Sequence, residues 1–270
     1  MGVSAPFAHD KRACQAIALI DSADVSMRVV EDLLEALATV RVPQRDAFRA
    51  LDLAWGFVAQ PQNFKTPPLH RAYTQKLAVC GMGLLANDTA SAQTVQFLKK
   101  LAACKYAQVC LVANGLLSKL LLDMRRAVQR SDLARFALMQ DVLQTATEAT
   151  GLCRNMHMLE ANAVATNLKT LLAATENAPS KYQEIAVSIA LALFASVGDV
   201  LCECLHAQGA LPRVLDIVAA FAVAATPGQA RKVITLVAGG DGYVAQSLFY
   251  SQTFRRFVQT KYATYCASQA

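Results

Sequence analysis

The sequence predicts an all-α protein, both from its composition and from apolar residues that recur at helical spacing. Ala, Leu, Val and Gln are abundant, whereas only 12 of the 270 residues are Gly and 8 are Pro. Such a composition favours helices over strands and turns. Because 54% of the residues are hydrophobic, the chain can bury a large core. We expect one helical domain over residues 1–270.

The helical pattern repeats along the chain with a period of 44 to 48 residues. The stretch HAQGALPRVLDIVAAF, residues 206–221, has counterparts elsewhere when one residue of each copy serves as an anchor. Successive anchors lie 44, 47, 48, 46 and 44 residues apart, and a period of this length is typical of stacked helical repeats. The anchors are Asp24, Pro68, Gly115, Ala163, Gly209 and Thr253.

Three positions around each anchor are apolar or aromatic in all six copies. The positions five and nine residues after the anchor share one helix face, so they predict a buried stripe. They hold Val29 and Leu33, Tyr73 and Leu77, Leu120 and Met124, Leu168 and Leu172, Val214 and Val218, and Val258 and Tyr262. The position four residues before the anchor holds Ile20, Phe64, Leu111, Leu159, Leu205 and Phe249.

A fourth position, fourteen residues before the anchor, is mostly small, which predicts close packing of one helix on its neighbour. It holds Ala54, Leu101, Ala149, Ala195 and Gly239. Breaks rich in Ser, Asp, Asn and Pro, such as Ser131–Asp132 and Asn177–Ser180, supply helix starts between the copies. The predicted repeats lie near residues 10–43, 44–88, 89–131, 132–179, 180–226 and 227–270.

The step Gly209-Ala210-Leu211-Pro212, followed by an apolar helix, resembles the start of an armadillo repeat, and the period resembles those of armadillo and HEAT repeats. The resemblance covers essentially the whole chain. It implies a right-handed α-solenoid of about six repeats that acts as a protein-binding scaffold without enzymatic activity. An irregular helical bundle is the alternative. More loosely, the chain is similar to armadillo-like scaffold proteins of centrioles and basal bodies such as rotatin, which implies a cytoplasmic place at the cytoskeleton or flagellum.

Armadillo proteins that resemble nuclear-import adaptors hold extended peptides with an Asn ladder and Trp residues, and this chain departs from that pattern. The segment 97–102 matches the family's A-L-x-N-[LI]-A step, but Lys100 stands at the Asn position. The only tryptophan, Trp55, lies in the predicted close-packed region. The resemblance therefore does not imply a cationic peptide ligand.

The corresponding helix face is still the predicted groove for a helical or extended protein segment or a neighbouring subunit. Its residues are Arg49, Gln96, Lys100, Gln144, Glu148 and Phe194. If the register is shifted by one residue, these side chains are buried instead. The last helix, FRRFVQTKYATY, is aromatic and basic, and we expect it to dock on a partner through Arg255, Arg256, Lys261 and Tyr265.

A net charge of +6 permits an acidic partner without requiring nucleic acid. Binding of nucleic acid through basic helix faces is the alternative function. The residues that would carry it are Lys99, Lys100, Arg125, Arg126, Arg130, Arg255 and Arg256.

We expect no catalytic residues, no cofactor and no metal. The four histidines show no arrangement with a nucleophile, and the eight cysteines are expected to be structural thiols. In the cluster Cys202-x-Cys204-x-His206, a helix would bring together only two ligands on one face. The most apolar run, residues 185–198, is shorter than the roughly 20 residues that span a bilayer, so we expect no membrane insertion.

Overall fold

The computed structural model describes residues 26–39, 44–86, 92–148 and 158–224, and within these ranges the secondary structure consists of helices and turns. The all-α prediction is confirmed for this part of the chain. The ten α-helices are α1 (Met27–Thr39), α2 (Gln44–Val58), α3 (Pro67–Ala86), α4 (Ala92–Ala102), α5 (Lys105–Ala113), α6 (Leu116–Gln129), α7 (Leu133–Glu148), α8 (Met158–Thr175), α9 (Ser180–Ala207) and α10 (Leu211–Ala224). A short 3-10 turn, Pro61–Asn63, precedes α3.

The break predicted at Ser131–Asp132 separates α6 from α7. Ser131 adopts a positive φ of 55°, and the next residue, Asp132, donates its N–H to the carbonyl of Ala127 at 2.9 Å. This hydrogen bond closes the end of α6. The Asp132 side chain then accepts the backbone N–H of Arg135 at 2.9 Å and caps the start of α7. The break predicted at Asn177–Ser180 likewise lies between α8 and α9.

Both anchor glycines mark helix starts with a left-handed backbone. Gly115 has a φ of 84° and Gly209 a φ of 62°, directly before or close to the first residues of α6 and α10. Glycine adopts such angles without the steric penalty of a Cβ atom. The step Gly209-Ala210-Leu211-Pro212 thus leads into a helix, as the sequence predicts, and that helix begins at Leu211.

The chain folds into two compact units, Met1–Asn114 and Gly115–Ala270. In the N-terminal unit, α1 packs on α2 and α3, α2 packs on α3 and α4, and α5 packs on α3 and α4. Leu33 and Ala50 are buried at the contact of α1 with α2. The single domain of six repeats stays a prediction.

In the C-terminal unit, α8 packs on α6, α9 and α10, while α7 packs on α6 and α9. The longest helix, α9, is bent at Val197, where φ is −125° and ψ is 20°. The bend separates Ser180–Gly198 from Val200–Ala207 by an angle of 107°. The two parts of α9 therefore run in different directions.

The residues of the three apolar positions form the core wherever the structure describes their side chains. They are all buried except Val29, which is half-buried. The small-residue position is buried at Ala54 and Leu101, but Ala195 is exposed, so the packing prediction for Ala195 is wrong. Ala195 lies before the bend at Val197, and a bend resets the helical phase counted from Gly209. Ala149, Gly239 and the final repeat, 227–270, lie outside the described side chains.

No single helix among the described residues is long and apolar enough to cross a membrane. Two bent pairs of helical segments, one of them the two parts of α9, reach that length and composition when they are taken together.

Candidate partner-binding surfaces

Helices α2 and α4 carry the part of the predicted groove that lies in the N-terminal unit. The two helices pack through the rings of Phe48 and Phe97, whose centroids are 6.4 Å apart and whose planes are nearly perpendicular. Phe97 is fully buried, which leaves Arg49, Gln96 and Lys100 exposed on the outer faces. The structure thus places these three predicted residues on two neighbouring helices.

An ion pair crosses between the same two helices. The Lys100 Nζ atom lies 2.9 Å from Asp52 Oδ1, and the two side chains are 55% and 47% exposed. An ion pair in such contact with water contributes about 0–1 kcal/mol to stability. Its larger effect is on the chemistry of the surface, because Lys100 already has an anionic neighbour. The exposed residues of the two helices, Arg49, Asp52, Gln96 and Lys100, which we call the α2–α4 stripe, therefore carry both charges.

The part of the predicted groove in the C-terminal unit differs from the prediction. Gln144 is half-buried, and its amide donates to the hydroxyl of Ser188 at 3.2 Å. Phe194 is only 4% exposed and Ala190 is fully buried, so this segment of α9 contributes core rather than surface. Phe194 is therefore buried, as expected if the register is shifted by one residue, and it does not line a groove.

Other predicted partner-binding residues lie outside the described residues. These are the side chain of Glu148 and the C-terminal residues Arg255, Arg256, Lys261 and Tyr265. Their roles stay predictions.

Phe64 and Tyr73, two of the predicted apolar positions, belong to a cluster of aromatic rings in the N-terminal unit that the sequence did not predict. Phe64 packs against the ring of His70 at 5.0 Å and that of Tyr73 at 5.5 Å between centroids. His70 is fixed by a contact of 2.9 Å between its Nε2 atom and the carbonyl oxygen of Val58. The cluster joins the 3-10 turn to the first turns of α3.

The hydroxyl of Tyr73 donates a hydrogen bond to the carboxylate of Glu31 on α1. Burial, together with the hydrogen bond to and the negative charge of Glu31, raises the pKa of Tyr73 to about 12. The phenol therefore stays protonated and acts as a structural donor rather than as a base.

The His70 ring also contacts Tyr106, the second residue of α5. The two ring centroids are 6.1 Å apart, and the guanidinium carbon of Arg71 lies 5.5 Å from the centre of the Tyr106 ring. This distance is within the range of a cation–π contact. Arg71 and Tyr106 are 35 residues apart in the sequence, and no local pattern points to their contact.

A second set of contacts links helices of the C-terminal unit through a helix start. Gly115 precedes α6 and has no side chain to cap it. Instead, Glu160 of α8 accepts the backbone N–H and the hydroxyl of Ser118, both at 3.2 Å. The amide of Asn167, two turns further along the same face of α8, donates to the Ser118 carbonyl at 2.9 Å.

Burial raises the pKa of Glu160, although the hydrogen bonds from Ser118 and the charge of Lys119 partly oppose the shift. A carboxylate near the positive end of a helix is otherwise stabilised. Here the cost of removing the carboxylate from water is the larger effect.

The cluster Cys202-x-Cys204-x-His206 does not gather in one place. Cys202 and Cys204 are buried, whereas His206 is exposed near the end of α9. Burial, and to a smaller extent the charge of Glu203, raises the pKa of Cys204. A protonated thiol is a poor metal ligand and a poor nucleophile. The described residues contain no group of three or more His, Cys, Asp or Glu side chains that could hold a metal ion.

In the described part of the chain, only some of the basic residues that would bind nucleic acid in the alternative function are exposed and not paired with a carboxylate. Lys100 is paired with Asp52, and Lys99, Arg125 and Arg126 are half-buried. Arg130 is exposed at the end of α6. Arg255 and Arg256 lie outside the described residues.

The chain was compared with protein-family models, with curated proteins and with solved structures, and none of the three comparisons found a match.

Proposed function

We propose that this chain is a non-enzymatic scaffold that binds other proteins, built as a right-handed, armadillo-like α-solenoid of about six repeats. The observation that carries the proposal is the sequence separation of the side-chain hydrogen bonds that join different helices. In both units, such bonds between helices that are not consecutive in the sequence join residues 42 to 49 positions apart, close to the 44 to 48 residues of the sequence repeat. Consecutive helices are also joined over 12 residues, by His70 with Val58 and by Arg135 with Asp123, and Arg213 is joined to Glu176 over 37.

In the N-terminal unit, three such contacts join equivalent helices of neighbouring predicted repeats. Tyr73 donates to Glu31 over 42 residues, the Cys80 thiol donates to the carbonyl of Leu34 over 46, and Lys100 donates to Asp52 over 48. The first two join α3 to α1, and the third joins α4 to α2. Contacts one period apart are expected when each repeat stacks on the next.

The C-terminal unit has the same kind of contact. Ser118 donates to Glu160 over 42 residues, and Gln144 donates to Ser188 over 44. Gln208 donates to the carbonyl of Asn162 over 46 residues, at 3.4 Å. An irregular helical bundle has no reason to favour one sequence separation for the bonds between non-consecutive helices in both units.

Stacked repeats present successive helix faces side by side, and such faces bind helical or extended protein segments. The exposed stripe of Arg49, Gln96 and the Lys100–Asp52 pair has this character, since it combines both charges with an amide. We propose that the protein acts in the cytoplasm, within a larger assembly at the cytoskeleton or flagellum.

The proposal is tested by affinity purification of the tagged chain from the cells that express it, followed by quantitative mass spectrometry. We expect one or more proteins to co-purify in fixed ratio, and a fluorescent fusion to lie on cytoskeletal structures. A variant with Arg49→Glu and Gln96→Glu tests the stripe, and Glu203→Lys, on an exposed position of α9, serves as the control for altered charge.

Recovery of the chain without any protein in fixed ratio would contradict the scaffold function. If the chain instead shifts single- or double-stranded nucleic acid in a gel at low salt, with a steep loss as salt increases, the nucleic-acid alternative replaces it.

A further inference from the structure

The outer face of α3 and α5 in the N-terminal unit carries the most exposed large apolar side chains of the described part of the chain. Tyr106 is 49% exposed, Val79 47% and Val109 46%, whereas the two others of this kind, Leu122 and Leu133 of the C-terminal unit, are 37% and 36% exposed. Single exposed apolar residues are common on protein surfaces. Three such residues on two helices that pack against each other are more than single exposed residues, and grouped apolar exposure of this kind marks interaction sites.

The sequence register places these side chains on the helix faces that carry Arg71 and Tyr106. On α3, Arg71, Gln75 and Val79 follow one another at four-residue intervals and share one helix face, and all three are exposed. On α5, Tyr106 and Val109 are three residues apart and also share a face. The guanidinium of Arg71 over the Tyr106 ring joins the two faces. We call Arg71, Gln75, Val79, Tyr106 and Val109 the α3–α5 surface.

The charged residues on the two helices that form this surface have one sign, and the carboxylate that α3 does contact, Glu31 of α1, accepts the hydrogen bond of Tyr73. Helix α3 contains Arg71 and Lys76, α5 begins with Lys105, and neither helix contains Asp or Glu. Between residues 53 and 115 the sequence has six Lys or Arg residues and a single acidic residue, Asp88. The α2–α4 stripe differs, since Lys100 there is paired with Asp52. A partner of the α3–α5 surface therefore meets Arg71 without a competing carboxylate on the two helices that form it.

We propose that the α3–α5 surface binds an acidic, amphipathic helical segment of another protein, whose apolar side chains cover Val79, Tyr106 and Val109 while its carboxylates face Arg71. Tyr and Arg are enriched at protein interfaces because both combine a large contact area with a directed polar group. An amphipathic helix supplies apolar side chains at the matching spacing of three and four residues. This inference rests on the proposed scaffold function and names the surface and the partner chemistry for it.

The cation–π contact prepares the site for such a segment. A guanidinium above a ring presents its N–H groups outward, and a carboxylate that approaches can accept two of them. Removal of the surrounding water on binding strengthens both the ion pair and the cation–π contact.

The test uses the full chain as bait against a displayed library of short random peptides. Enriched peptides are then synthesised, and their binding is measured by fluorescence anisotropy. We expect Asp or Glu residues interleaved with apolar residues at helical spacing. Arg71→Glu and Tyr106→Ala are expected to weaken binding by about tenfold or more, the effect of losing an anchor at the centre of an interface.

Three variants serve as controls. Tyr106→Phe keeps the ring and is expected to keep the binding. Leu133→Ala and Arg130→Glu change an exposed apolar residue and an exposed cation of the C-terminal unit, and they are expected to leave it unchanged. Circular dichroism checks that each variant is helical. If Tyr106→Ala unfolds, the peptide binding of Arg71→Glu alone tests the inference.

The outcomes separate this inference from the proposed function. Enriched peptides without acidic residues, or binding that is insensitive to Arg71→Glu and Tyr106→Ala, would overturn the α3–α5 surface and leave the scaffold function in place. Self-association that disappears in Arg71→Glu would make a second copy the occupant and overturn the inference. Loss of RNA binding in the same variants would replace the peptide with nucleic acid. Absence of both peptide binding and co-purifying proteins would remove the inference and the scaffold function together.

Discussion

The carboxylate of Glu160 caps the N-terminus of a helix that lies 42 residues earlier in the chain, where it accepts the backbone N–H of Ser118 at 3.2 Å. The first N–H groups of a helix have no partner within it. A side chain at the residue before the helix usually supplies one, but α6 is preceded by Gly115. The N-terminus of α6 is therefore capped only when α8 packs on α6.

Removal of this cap is expected to destabilise the protein. In Glu160→Ala the half-buried N–H of Ser118 loses its acceptor, and the free energy of unfolding is expected to fall by about 1–2 kcal/mol. Urea unfolding followed by circular dichroism measures the change. The control is Glu203→Ala, an exposed carboxylate on α9, for which the expected change is within about 0.5 kcal/mol. Equal losses in the two variants would contradict the capping role.

The raised pKa of Glu160 predicts a pH dependence of defined sign. A carboxyl group with a pKa above its ordinary value of 4.5 binds its proton more tightly in the folded state. Its contribution to stability is therefore fully present below 4.5 and is lost as the pH increases through the raised pKa. The stability of the wild type minus that of Glu160→Gln is expected to decrease over this window and then to stay constant. A difference that increases with pH would show that the hydrogen bonds outweigh burial.

Three glycines are expected to respond differently to alanine. At Gly115 the backbone has a φ of 84°, and an added Cβ would lie 3.2 Å from Glu160 Oε2, so Gly115→Ala is expected to cost about 1–2 kcal/mol. At Gly209 the φ is 62° with no atom within 4 Å, so the strain is confined to the backbone and the cost is smaller. Gly83 lies within α3 with open space around it, and Gly83→Ala is expected to stabilise by up to about 1 kcal/mol. Thermal unfolding of the three variants gives the order, and a different order would contradict the stated geometry.

The ion pair between α6 and α7 is expected to matter more than the one between α2 and α4. Arg135 donates to Asp123 Oδ2 at 2.6 Å, and the side chains are only 19% and 8% exposed. Arg135→Ala leaves the carboxylate buried without its cation, at a cost of about 3 kcal/mol. Lys100→Ala removes the exposed partner of Asp52 and is expected to cost less than about 1 kcal/mol. Similar losses of unfolding free energy in the two variants, measured with urea, would show that burial does not determine how much these ion pairs contribute to stability.

The core could be predicted from the sequence because it depends on local periodicity. Leu77, Met124, Leu172 and Val218 occupy one position of the apolar pattern, and all four are buried. Residues four apart share a helix face whatever the tertiary structure, so a regular helix carries the pattern directly from sequence to core.

The same reasoning failed where the helix is not regular. Ala195 and Phe194 were placed by counting back from Gly209 through α9, and the bend at Val197 lies between them and the anchor. Each residue of a helix advances the direction of the side chain by a large angle, so a local departure from helical angles turns every earlier side chain. Phe194 is buried and Ala195 exposed for this reason.

The contacts that give the surfaces their chemistry could not be predicted, because they join residues far apart in the sequence. Arg71 and Tyr106 meet only after α5 has packed on α3. One signal was nevertheless present for the contact of Glu160 with Ser118. A helix that starts after a glycine lacks a local cap, and a polar residue from an adjacent helix is then expected to supply it.

The position of Glu160 also determines when α6 can be completed during synthesis. Ribosomes add about 5–20 residues per second, so the carboxylate is made about 2–8 s after Ser118. During that interval the first turn of α6 depends on water for its hydrogen bonds. The nascent chain therefore passes through a stage at which α6 has been translated but is not yet capped, and the arrival of α8 ends that stage.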